Sequence, residues 1–131
     1  MIEAKTPDDI SKEIDRAIVE GYKHPKLTEA IAGIRFVELI IEGTTLLWIF
    51  MGKSEDHIII PRTYCSCKDF IIHVLSQKRK LFCYHLVAQV IAEKEGKYRR
   101  VNVDIDTCSR IINEVLEKGF STTLRRIVLK S

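Results

Sequence analysis

Glycine and proline are scarce, at 6 and 3 of 131 residues, which argues against linkers or long disordered stretches. Asparagine and glutamine total only four (Gln77, Gln89, Asn102, Asn113). Long apolar runs are missing too: Phe36 to Met51 is interrupted by Glu38, Glu42 and Gly43, so nothing approaches the roughly 18 residues of a membrane span. No positively charged start leads into an apolar stretch, so no secretory signal is expected. Neither H-E-x-x-H nor H-x-E with P-C-x-x-C occurs, and with them goes the positioned acid of a zinc hydrolase or nucleobase deaminase. What remains is 46% apolar and 30% charged, the composition of a globular chain. A single domain over residues 1–131 is expected, large enough to bury about two-thirds of its unfolded surface. The expected location is intracellular: cytoplasmic, and nucleoid-associated in a prokaryote.

Charge is unevenly spread. Residues 1–56 hold 7 basic and 11 acidic side chains, whereas residues 57–131 hold 14 and 7. Three basic groups stand in the second half: Lys78-Arg79-Lys80, Arg99-Arg100 and Arg125-Arg126. Solvation alone accounts for such groups. Together they are also candidate contacts to the phosphates of single- or double-stranded DNA, giving weak, salt-sensitive and sequence-independent binding. No helix-turn-helix signature or interleaved aromatics point to sequence reading.

The chain has four cysteines, and in a reducing compartment these are better metal ligands than disulfide partners. Cys65 and Cys67 form one close pair, Cys83 and His85 another. In extended backbone, residues i and i+2 project to the same side, so Cys65 and Cys67 can chelate while Ser66 points away. Inside a helix the same spacing separates side chains by about 200°. Cys83 is therefore placed at or just before a helix start, with His85 in the first turn. Leu86, Val87, Val90 and Ile91 continue as an apolar helical stripe, and Gly96 ends it. Three thiolates and an imidazole are a structural zinc set, for one Zn²⁺ per chain. Its net charge of −1 suits the positive end of the new helix and the nearby Lys68, Lys78, Arg79 and Lys80. Ala88 lies one turn beyond His85, where a small side chain lets the helix approach the metal loop.

The surrounding elements read as α+β. Thr6-Pro7-Asp8-Asp9 is a helix start, with Ile10, Ile14, Ala17 and Ile18 on one face and Gly21 and His24-Pro25 beyond its end. A short helical turn follows from Leu27 towards Gly33. Phe36–Ile41 and Thr44–Met51 make a hairpin about Glu42-Gly43, and His57–Ile60 a third strand, in a small antiparallel sheet with flanking helices. Trp48 is read as core, and so is Cys108 within a helix over 106–118. His73 lies in a short buried helix expected after an Asp69 cap, as a satisfied or surface histidine rather than a fifth ligand. The tail, 121–131, suits either a helix or an edge strand.

Cys-x-Cys, fifteen residues, then Cys-x-His resembles the SWIM-type zinc finger pattern. Phe70 after the first pair, the apolar helix after the second, and Ala88 in C-Y-H-L-V-A are similar to the SWIM-domain subunits of Shu-type recombination complexes. The resemblance implies a ββα-like zinc module over about residues 57–96, with ligands Cys65, Cys67, Cys83 and His85 and Ala88 as the family's small position. Lys68 and Tyr84 depart from the commoner proline and lysine. The implied role is a non-catalytic adaptor that partners a RecA-family recombinase paralogue in homologous recombination repair. Direct DNA binding by the module is the competing expectation.

Overall fold

A computed structural model describes residues 6–130; the outermost positions of the expected 1–131 span lie outside it. The first helix, α1 (Pro7–Val19), opens as its sequence dictates. Thr6 accepts from the Asp9 backbone N–H, and the Asp9 carboxylate accepts from the Thr6 N–H, a reciprocal cap on a helix with proline in its first turn. A short helix, α2 (Leu27–Ala32), precedes strands β1 (Phe36–Ile41) and β2 (Thr44–Met51). Their two-residue turn places Glu42 at φ 50° and Gly43 at φ 80°, the twist that a tight hairpin needs.

Strand β3 (Asp56–Ile60) pairs with β2 through a turn in which Gly52 is obligatory, since a Cβ there would lie 2.2 Å from the Glu55 carbonyl oxygen. Two residues, Tyr64–Cys65, form β4 against the end of β3. A π-helix (Phe70–Ser76), α3 (Tyr84–Glu95), β5 (Arg99–Asn102), α4 (Ile105–Lys118) and α5 (Thr122–Lys130) complete the chain.

The sheet order is β4-β3-β2-β1-β5. The small antiparallel sheet expected from sequence is thus a five-stranded mixed one: β5 runs parallel to β1, with Val37 opposite Arg99 and Leu39 opposite Val101. A parallel partner is reached only by a long crossover, here through β2, β3, β4 and α3. Its four residues R-R-V-N carry too little apolar character to announce a strand.

Strand alternation splits the core into two layers on one sheet. Phe36, Trp48, Phe50 and Ile59 face α1, α2 and α3. Val37, Leu39, Ile49, Ile58 and Val101 face α4 and α5, where Cys108 is buried among Ile111, Val115 and Leu124. Helix α3, wedged within the first layer, is buried on nearly every side from His85 to Val90. The tail resolves as helix rather than edge strand.

Polar anchors hold α4 and α5 together. Glu114 accepts from the Ser121 hydroxyl at 2.7 Å, the Thr123 hydroxyl at 2.7 Å and the Thr123 N–H at 3.0 Å. Burial raises the Glu114 pKa, but these hydrogen bonds outweigh it, and the net shift is downward. A carboxyl with a depressed folded pKa contributes stability above its unfolded value and loses it as pH falls through the folded one. Glu114→Ala should therefore cost about 1.5–3 kcal/mol at pH 7 in urea denaturation, a gap that narrows at pH 3. A gap of equal size at both pH values would contradict a role for the charge.

Candidate metal centre

Cys65 ends β4 opposite Ile59, so the hairpin from β3 delivers it into the first core layer. Ser66 turns away as its spacing requires and accepts from the Ile58 N–H at 2.8 Å, while its own N–H donates to the Ile58 carbonyl at 3.0 Å. Those bonds tie the loop to the sheet. Cys67 returns to the interior, where its sulfur accepts from the Phe70 N–H at 3.3 Å and Phe70 packs edge-on to Tyr64.

The second pair arrives on α3. Cys83 is the N-cap residue in extended conformation (φ −104°, ψ 169°), and His85 sits in the first turn. Gly96, left-handed at φ 70°, caps the far end. Ala88 is fully buried one turn beyond His85, in the same cluster as all three cysteines.

All four side chains are buried, and their donor atoms lie within 4.8 Å of one another. Cys83 Sγ and His85 Nδ1 stand 3.9 Å apart. A tetrahedral ion with metal–sulfur bonds of about 2.3 Å sets its ligand atoms roughly 3.8 Å apart, so the cluster can hold a metal ion with little rearrangement. The donor set suits a borderline-soft divalent ion such as zinc.

The electrostatics point the same way. Hydrogen bonds from Cys65 and Cys83 hold the Cys67 thiol well below its ordinary range. Cys65 is driven far above that range by its hydrogen bonds with Cys67 and Cys83 and by burial. At Cys83 the Cys65 contact lowers the value, but Cys67 and burial overcome it, and the thiol is pushed up to about 12. Three thiols crowded into one buried pocket oppose carrying charge together, a cost that a bound divalent cation would remove.

An aromatic shell surrounds His85. Tyr84 lies 4.0 Å from it, Phe50 4.6 Å and His57 4.9 Å, all between ring centroids, and His24 stacks on the outer face of Tyr84 at 4.2 Å. Burial and the neighbouring cysteines push Tyr84 up to about 12. Sequence reading placed His57 only as a strand start. Its signal was available, since His57 is two residues before Ile59 and so shares the metal-facing side of β3.

Other expected features are redistributed. The segment after Cys67 is a π-helix with only Phe70 buried; Ile71, Ile72 and Leu75 are exposed, contrary to the buried helix expected. Asp69 makes no cap. Its carboxylate instead binds His73 Nδ1 at 2.7 Å and Lys80 Nζ at 2.6 Å, because an acid one turn before a histidine on this helix faces it directly. His73 accordingly stands outside the metal cluster.

The basic groups also come apart. Lys80 is bound to Asp69, whereas Lys78 and Arg79 are exposed. Strand pleating sends Arg100 to Glu38 on one face of the sheet at 3.1 Å, and Arg99 to the other. Arg125 is committed to Asp56, while Arg126 is exposed. Arg100 and Arg125 are thus each engaged in an ion pair, Arg100 on a largely exposed side chain and Arg125 on a half-buried one. The chain matches no family model, no curated protein and no solved structure. No helix among the described residues is long and apolar enough to cross a membrane.

Proposed function

We propose that this protein is a zinc-stabilised, non-catalytic adaptor. The observation that carries the reading is the burial of all four donors, Cys65, Cys67, Cys83 and His85, in one compact set. Four protein ligands complete a tetrahedral shell and leave no coordination position for a substrate. The ion then acts by joining the β3–β4 hairpin to the start of α3, and function falls to the surface so held.

On that surface, the π-helix between the two ligand pairs exposes Ile71, Ile72 and Leu75 beside Lys78 and Arg79. Apolar side chains exposed together on one short helix suit a protein partner. The SWIM-type resemblance of the ligand spacing supplies the identity we assign: a RecA-family recombinase paralogue, in homologous recombination repair. A second reading, sequence-independent DNA binding, draws on the exposed Lys78, Arg79 and Arg126.

Elemental analysis of the purified protein should give one zinc per chain. Affinity purification from the native cell should recover a recombinase paralogue, lost on Ile72→Asp/Leu75→Asp while zinc is retained. One zinc without such a partner would leave a zinc module and sink the repair role; folded protein free of metal would sink the reading at its root.

A further inference from the structure

Four cations from four separate parts of the chain line one cleft: Arg35 before β1, Lys53 in the β2–β3 turn, Arg99 at the start of β5 and Arg125 on α5. Its volume is about 310 Å³, and no acidic residue lines it. Two of these cations come from the acidic first half of the sequence.

The two deeper guanidinium groups are fixed in place. Arg35 donates to the Met51 carbonyl at 3.2 Å and to Glu29 at 2.7 and 3.0 Å. Arg125 donates to the next carbonyl, Gly52, at 3.0 Å, and to Asp56 at 2.8 Å. The close turn that only Gly52 permits thus points adjacent carbonyls at both arginines. Glu29 and Asp56 balance them. Lys53 and Arg99 are exposed and carry no ion pair among the described residues, so the cleft keeps a surplus of two positive charges.

Clustered cations repel one another, and a folded chain that gathers them without lining acids is arranged for an anion. Pre-positioned guanidinium groups match the oxygens of a phosphate group, and the two exposed cations, free of ion pairs among the described residues, can reach it from the rim. We propose that this cleft binds a phosphate group, with Lys53 and Arg99 as its principal contacts and Arg35 and Arg125 as its positioned floor. The site shares no residue with the four metal donors or with the adaptor surface on the π-helix, so it stands whether or not that reading does.

The test is an amide-resolved NMR titration of the whole chain with pyrophosphate and, separately, with a twelve-nucleotide single-stranded DNA at low salt. Shifts centred on Lys53 and Arg99 are expected. Lys53→Ala/Arg99→Ala, which touches only exposed side chains, should weaken binding at least tenfold. For the oligonucleotide it should also flatten the logarithmic salt dependence by about 1.4, the equivalent of two phosphate contacts. Response to pyrophosphate identifies a small or terminal phosphate as sufficient; response to DNA alone identifies a backbone phosphodiester. No shift at these residues with either probe would overturn the proposal. Undiminished affinity in the double variant, with loss instead in Lys78→Ala/Arg79→Ala, would also overturn it.

Discussion

Cys83→Ser is expected to cost this protein both its metal and its cooperative fold. A structural zinc site contributes on the order of 10 kcal/mol, comparable with the whole stability of a small domain, roughly 5–15 kcal/mol. Cys83 also occupies the N-cap of α3, and α3 is the most buried helix of the first core layer. Losing the ligand therefore removes the clamp and loosens the element that fills the core. His85→Ala should do the same and in addition empty the space between Phe50, His57 and Tyr84. Cys108→Ala is the control: its thiol, on α4, is buried in the second core layer on the other face of the sheet from the cluster, and zinc content should be unchanged. Because the ligands must lose protons to bind, acid should release the metal and unfold the wild-type chain in one transition. Unaltered zinc content and melting in Cys83→Ser would show that the sulfur is no structural ligand.

The second large effect lies on the opposite face of the sheet. Asp56 is fully buried at its side chain and accepts from Arg125 through both oxygens and from the Ser121 N–H at 2.8 Å. It joins β3 to the α4–α5 connection, a link reinforced by its own N–H donating to the Gly119 carbonyl at 2.7 Å. Asp56→Ala should destabilise by about 3–5 kcal/mol, because it strands a half-buried guanidinium and leaves the start of α5 without its acceptor. Hydrogen exchange should localise the loss to α5 and the β2–β3 turn, with zinc still bound. A variant within 0.5 kcal/mol of wild type would mean that water replaces the carboxylate at little cost.

These two anchors differ in how far they can be read before folding. Cys65, Cys67, Cys83 and His85 announce themselves by local spacing, since i,i+2 geometry in strand and N-cap dictates which side chains converge. The Phe36–Ile41 and Thr44–Met51 hairpin is equally local: β-branched and aromatic runs around Glu42-Gly43 suffice. Asp56 carries no such local signal, because its partner lies 69 residues away. The π-helix misled for a similar reason. Its apolar residues suggested burial, yet the core beneath had already been filled by Phe70 and α3.

The amino-acid sequence alone determined the four candidate metal donors, the hairpin, and the start and end of α3. Each depends on a few consecutive residues whose backbone geometry leaves little choice. Only the tertiary structure decided that the sheet is mixed and covered on both faces, and that Arg99 and Arg100 part company across it. It likewise decided that Arg35, Lys53, Arg99 and Arg125 share one cleft. Those outcomes depend on which strand lies beside β1, and a four-residue polar segment acquires that place only once its neighbour is built.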